Sequence, residues 1–438
     1  MHEIPFVRFG MAAAAAAAVL SLPACGGSSG SIAPNHASGT GTWIAAWAGP
    51  MANDVPSTTD PASREQTFRE IIKPSVGSRG TVRLHFSNAL GATPVTLGAV
   101  HIGVQSSGAT VATGTDTPVT FSNAASVTIA PGSAAVSDPV MMNFSYGAKL
   151  AVTEYVAGSW PALPQDYHAA LITNYASAAG AGNTTSDVAG TSFTATFGEY
   201  FLFDRLDVYG NYTETVGILG SSTILGGGSD ANAFDDIVSD VAADLHAAGR
   251  DDVGVVNLAF GPDALLTINV LANNPAIVDR FARDALSLPD VGAVIQAGAD
   301  VDLKTSQCSN AATILAGDQN VIAQAHAAGV RIYLAKIAPT TYCNGQNPSG
   351  YGSRFPANTG QDAERQALNA WMSTTQPSVV DGVTVQPPGA DGVIDIATPI
   401  TDPTNTGYML PQYDSGDDSH PNAAGQAVQA SVLAHSPL

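Results

Sequence analysis

The sequence predicts a two-domain chain: an N-terminal β-sandwich or jelly-roll-like domain over residues 42–208, then a C-terminal α/β domain over 209–438. Three observations predict it. From Thr42 to about Asp207, short runs such as "TVRLHFSNAL", "VTLGAVHIGV", "PVTFSNAASVTIAPGS" and "KLAVTEYV" are rich in β-formers. Gly, Pro, Asn and Ser punctuate them, with no long helical segment between. After Tyr209, short apolar runs alternate with segments of helical spacing, the pattern of a parallel sheet covered on both faces. The length, 438 residues, is enough for two domains.

The elements follow in order. Residues 1–24 carry Arg8 in a short head and an apolar segment from Met11 to Leu22. That stretch is too short to span a bilayer and reads as the core of a signal peptide. Leu22-Pro23-Ala24-Cys25 resembles the lipobox of bacterial lipoproteins, which makes Cys25 the expected lipidation site. Residues 25–41, rich in Gly and Ser, read as a flexible tether to the membrane surface. Export to an oxidising compartment makes a disulfide between Cys308 and Cys343 the natural expectation. In the β-rich part, Trp43, Trp47 and Trp160 suit either a core or a ligand platform.

The second half opens with "VGILG", a short buried strand. "AFDDIVSDVAADLHAAG" follows with apolar residues at Ile237, Val238, Val241, Ala242 and Leu245, a helix ended by Gly249. The alternation continues through "VGVVNLAF", "VDRFARDAL", "VGAVIQAG", "ATILAGDQNVIAQAHAAG", "RIYLAKIAP", "QDAERQALNAWMST" and "DGVIDI". Functional sites of such sheets form at the carboxyl ends of the strands. Three segments fall there: Gly220-Ser221-Ser222, Ala259 to Gly261, and Gly298 to Asp302.

Composition excludes some functions. With 37 Asp+Glu against 16 Lys+Arg, the formal charge is −21. Nothing would neutralise phosphates, so a nucleic-acid partner is excluded. No His-x-His, HExxH or paired-Cys spacing suggests a metal, and no cofactor is implied. "GILGSSTILGGG" is glycine-rich but lacks the Lys of a phosphate-binding loop. His246 and His326, on expected helices, read as solvent-facing or lightly buried, without a role.

The candidate chemistry is nucleophilic. A serine nucleophile needs a base, a group that orients the base, and donors for an oxyanion. Near the C-terminus, "LPQYDSGDDSHPNAAG" places Asp417 three residues before His420. An Asp-x-x-His turn lets the carboxylate hold one imidazole nitrogen while the other faces out as a base.

These blocks, with "REQTFREIIKPSVGSRGTVRLHFSNALGATPVTLGAV", "VDRFARDALSLPDV" and "AGVRIYLAKIAP", resemble the SGNH (GDSL-type) hydrolases. The likeness is to bacterial secreted esterases with a β-rich domain before the catalytic one. It implies an α/β/α, flavodoxin-like catalytic domain that hydrolyses esters. The expected substrates are acylated or acetylated carbohydrates, or small lipid-like esters. Membrane contact would be through the lipid anchor alone. It implies Ser222 as nucleophile, His420 as general base, Asp417 as its orienting acid, and backbone N–H groups of Ser222 and Ala259 as oxyanion donors. The pattern departs at three places. Ser221 stands where the family has Asp. Ala259 stands at its glycine, with Gly261 two residues on. Val301, or Asp300 in a shifted register, stands at its Asn. The competing expectation is a degraded relative that binds glycan or a surface partner. Substrate choice would rest on loops such as Thr340 to Thr359.

Overall fold

A computed structural model of the chain describes residues 41–51, 63–160, 165–166, 171–266, 275–304, 308–340 and 360–436. Residues 1–24, Cys25, the tether up to residue 40, Cys343 and nearly all of the 340–359 loop lie outside the described residues. From Thr40 to Leu438 the chain forms one compact unit.

Among the described residues, two large antiparallel sheets dominate the first half, beside a two-stranded pair of Gln165–Asp166 with Tyr200–Phe201. One runs in the order Thr42–Ala48, Phe203–Gly210, Ser78–Ser87, Ala134–Val136, with Val140–Phe144 also paired to the Ser78–Ser87 strand. The other centres on Ser63–Ile72, Leu150–Trp160 and Val95–Ser107. Alternation explains the first: Val82, Leu84 and Phe86 are buried while Thr81, Arg83 and His85 between them are partly exposed. These residues meet Phe68, Ile72, Leu97, Ile102 and Val152 of the other sheet in a shared core. Trp47 stacks on Phe203, with ring centroids 5.1 Å apart and planes 6° from parallel, and Trp160 packs on the same core. Both therefore serve packing.

The second half holds a five-stranded sheet in the order Val253–Asn257, Glu214–Leu219, Val291–Gln296, Arg331–Ala335, Gly392–Ile394, every pair parallel. Numbered along the chain, that order is 2-1-3-4-5, one of the two common doubly wound arrangements. Helices Ile277–Asp284, Ala311–Ala327 and Gln361–Met372 cover one face, and Ile237–Ala247 with Ala423–Ala434 cover the other. Asp236 starts Ile237–Ala247 by accepting from the amides of Val238 and Ser239 at 3.1 and 3.0 Å.

The halves are sewn together by the first strand. The amide of Ala45 donates to Thr215 Oγ1 at 2.9 Å, and that of Val255 to Ser75 Oγ at 3.0 Å. A Cβ at Gly254 would lie 2.2 Å from the Ala45 carbonyl oxygen, so the approach needs glycine.

Several carboxyls are buried among the described residues, Glu154 and Asp318 among them. Glu154 of the Leu150–Trp160 strand is fully buried, and neither carboxyl oxygen finds a hydrogen bond among the described residues. Burial raises its pKa well above the ordinary carboxylate value. In the α/β half, burial pushes Asp318 up to about 8, against a hydrogen bond from Gln296. A folded-state pKa above the unfolded one stabilises the fold at low pH, and that contribution is lost as pH rises through the folded value. Asp187 and Asp391 have lowered pKa values. Their contribution is lost only as pH falls below about 4. The melting temperature should therefore be highest near about pH 4–5 and fall as pH rises towards about 8. Asp318→Asn, which stays neutral, should flatten the fall; an equal slope in the variant would remove Asp318 as its cause.

Candidate active site

Ser222 is displayed where the Glu214–Leu219 strand ends. The turn is tight because the next strand end crosses it: a Cβ at Gly298 would lie 2.9 Å from Gly220 Cα. Ser222 begins the short helix Ser222–Leu225, and Ser221 is its N-cap. The Ser221 hydroxyl accepts from the Thr223 amide at 3.4 Å and lies 3.2 Å from the Thr223 hydroxyl. Serine and aspartate are both good N-caps, so the turn keeps its support without the carboxylate. Beyond the helix, Gly226 takes φ 118° and Gly228 φ 90°, left-handed values that a side chain rarely tolerates. Those turns bring the chain back under the histidine.

The acid and base sit on the loop before the Ala423–Ala434 helix. Asn422 caps that helix through the Gly425 amide at 3.0 Å, and its Nδ2 donates to the Gln412 and Asp414 carbonyls at 2.9 and 3.2 Å. Asp414 accepts from the amides of Gly416 and Asp418, folding the loop into a tight bend. Within it, Asp417 Oδ1 accepts from the amides of Ser419 at 2.9 Å and His420 at 2.8 Å, and from the Ser415 hydroxyl at 3.1 Å.

The three expected catalytic side chains meet. His420 Nδ1 lies 2.5 Å from Asp417 Oδ2, and His420 Nε2 lies 2.7 Å from Ser222 Oγ. An ionised carboxylate only accepts, so the proton of neutral His420 sits on Nδ1 and Nε2 is left to accept from the serine hydroxyl. Partial burial works to raise the Asp417 pKa. The hydrogen bonds from the His420 ring and from the His420 and Ser419 amides nonetheless hold it well below the usual carboxylate range. Asp417 thus stays ionised to orient the imidazole and to stabilise its protonated form.

The oxyanion donors require a correction. The Ala259 amide donates to the side-chain oxygen of Asn257 at 3.0 Å, and Ala259 is fully buried. That amide is therefore committed inward, because Asn257 also donates from Nδ2 to the Ile224 carbonyl at 3.2 Å beneath the nucleophile helix. The backbone that passes the serine is at Gly261, where a Cβ would come within 2.8 Å of Ser222 Cβ. The third block carries no amide side chain. Val301 is buried, and Asp302 accepts from the amides of Leu265 and Leu266 at 2.7 and 3.2 Å, bracing the loop after Gly261. Asp300 pairs with Lys304 at 2.8 Å, and Lys304 donates to the Ser419 hydroxyl at 2.8 Å. The third block therefore supports the His420 loop through a cation.

Two supports were missed at the level of sequence. Gln426 is fully buried. Its Nε2 donates to the Gly227 and Pro421 carbonyls at 2.9 and 3.2 Å, and its Oε1 accepts from the Ile237 amide at 2.9 Å. It joins the Ser222 turn to the histidine loop; its signal was the pair of amides, Gln426 and Gln429, on the buried face of "NAAGQAVQASVL". Lys304, one helical turn past Asp300, is the other. His246 pairs with Asp251 and His326 with Asp391, both away from the triad. Among the described residues, no group of three or more His, Cys, Asp and Glu side chains is placed to hold a metal.

Among solved structures, the matches include a putative acylhydrolase from Bacteroides fragilis, a GDSL-like lipase and carbohydrate esterases. A carbohydrate acetylesterase from Sinorhizobium meliloti is 10% identical, covering 50% of this chain and 96% of that one, with a TM-score of 0.36. A GDSL-like lipase from Bacteroides thetaiotaomicron is 15% identical, covering 50% and 86%, with a TM-score of 0.33. An active-site mutant of a family two carbohydrate esterase from Clostridium thermocellum is 11% identical, covering 90% and 91%, with a TM-score of 0.32. No protein-family model and no curated protein matches the sequence. At these scores the likenesses carry no argument about this chain, and the case for its chemistry rests on its own site.

Proposed function

We propose that the protein is a serine ester hydrolase. The observation that carries this is the continuous Ser222–His420–Asp417 chain, with contacts of 2.7 and 2.5 Å. Ser222 Oγ attacks the ester carbonyl carbon as His420 Nε2 takes its proton. Collapse of the tetrahedral intermediate breaks the C–O bond, and the leaving alcohol takes the proton back from His420. Water then attacks the acyl-serine, again giving its proton to His420, and the acid departs as Ser222 is reprotonated. The amides of Ser222 and Gly261 face the developing oxyanion in this reading. With no side-chain amide as third donor, turnover should be slower by about 10²–10³ than with a full set.

Ser222→Ala should lower turnover of short acyl esters by on the order of 10³ or more, measured with p-nitrophenyl acetate beside circular dichroism. Turnover that survives the change would end the serine mechanism. A degraded binding protein has no use for the aligned contacts, so we favour the enzyme.

The substrate class we propose is an acyl or acetyl ester of a carbohydrate, or a small lipid-like ester. We also propose export, a lipid on Cys25 and a Cys308–Cys343 bond. One intact-mass measurement on protein isolated from producing cells reads all three: loss of residues 1–24, added lipid at the new N-terminus, and two hydrogens fewer than the reduced chain. A full-length, unlipidated mass would refute export and anchoring, and a mass unchanged by non-reducing preparation would refute the bond.

A further inference from the structure

We infer that the junction of the two halves carries a non-catalytic groove for a neutral oligosaccharide. A cavity of about 740 Å³ opens between the end of the Val140–Phe144 strand, the start of Ser78–Ser87, the Tyr209–Tyr212 segment and the end of the Ile237–Ala247 helix. Ligand sites fall in this size range. Its walls are aromatic and polar. Tyr146 stacks on His246 with ring centroids 4.1 Å apart and planes 24° from parallel. Tyr209 lies 5.3 Å from Trp43, extending the aromatic surface along the sandwich edge. The Tyr212 hydroxyl donates to the Gly77 carbonyl at 2.7 Å, which fixes its ring in the wall. Arg79 and Asn143 are exposed at the rim, and Asp251 holds His246 Nδ1 at 2.5 Å.

This chemistry suits a sugar. A pyranose presents a patch of C–H bonds on one face and hydroxyls around its edge. The negative face of a tyrosine attracts the C–H patch, while its hydroxyl and planar side chains such as Asn and Arg bond the edge. No aliphatic side chain lines the groove among the described residues, which disfavours an acyl chain or an apolar peptide. A net charge of −21 disfavours an anionic polymer.

The groove is separate from the triad. Tyr212 and Asp251 lie just before the strands Glu214–Leu219 and Val253–Asn257, whereas Ser222 lies just after the first of these. The six-residue strand between them puts the two sites about 20 Å apart, at opposite ends of the sheet. A polysaccharide held there would keep the enzyme on its surface while the triad stays open.

The test is calorimetric titration of the full chain with tetra- to hexasaccharides of the cello, manno, xylo and chito series. At least one series should bind, and Tyr146→Ala and Asn143→Ala should each weaken it about tenfold, a loss of about 1.4 kcal/mol. Ester turnover and melting temperature should stay as in the parent. Binding by no series, or binding indifferent to both variants, would overturn the proposal. So would binding abolished when Ser222 is blocked by a fluorophosphonate, since the sugar would then occupy the catalytic site. The ester assay is read separately, so failure of the groove does not touch the hydrolase proposal, nor the reverse.

Discussion

Asp417→Asn should leave a folded protein whose kcat on small esters is lower by on the order of 10³–10⁴. The size of the loss follows from how the carboxylate is used. Oδ1 already receives three donors, the amides of Ser419 and His420 and the Ser415 hydroxyl. The amide oxygen of Asn would keep that place, so the loop survives. The NH2 group would then face His420 Nδ1, force it to become an acceptor, and move the ring proton to Nε2. An Nε2 bearing a proton cannot take one from Ser222. Circular dichroism and the melting temperature should change little, while kcat collapses. A loss below tenfold would mean that Asp417 does not set the tautomer.

Gly227→Ala should be the second large effect, and it acts without touching a reacting group. A Cβ at Gly227 would lie 2.6 Å from His420 Cδ2, 3.1 Å from His420 Nε2 and 2.8 Å from the Ser222 carbonyl oxygen. The ring cannot tilt aside freely because Nδ1 is held by Asp417. A displacement of about 1 Å at a reacting group costs about 10² in rate, so kcat should fall by at least that factor. Gly80→Ala is the control: its Cβ would come no nearer than 3.9 Å to another atom, the Tyr209 carbonyl oxygen. Equal kinetics for Gly227→Ala and Gly80→Ala would mean that the ring tolerates the contact.

The three side chains proposed to react were legible in the sequence because the proposed chemistry demands their types and spacing. A serine at a strand end and an aspartate three residues before a histidine carry their meaning in the side chains. The oxyanion donors were less so, because a backbone N–H has no letter. The family resemblance pointed to Ala259, whereas Asn257, two residues earlier, draws that amide inward. Gly261 is proposed in its place because its backbone passes close to Ser222, a closeness that only the folded chain shows. Ser221 shows the converse: a changed letter keeps its role because capping needs only a small acceptor.

The fold divides the same way. Alternation marked Ser78–Ser87 because one face packs on the core. The Leu150–Trp160 strand is buried on both faces from Leu150 to Glu154, so "KLAVTEYV" hides an acid, Glu154, inside the sandwich. A sequence pattern cannot reveal that Thr42–Ala48 also binds Thr215 across the junction, since that contact joins residues 170 positions apart. Lys304 and Gln426 escaped notice for a similar reason: each links loops distant in sequence, and neither stands in a recognisable motif.

The central claim is that Ser222 is a nucleophile activated by His420. It is tested most directly by treating the protein with a fluorophosphonate and locating the adduct by peptide mass spectrometry. One adduct per chain is expected, on Ser222, absent from Ser222→Ala and formed far more slowly in His420→Gln. No adduct on the parent protein, or equal labelling of the Ser222→Ala variant, would contradict it.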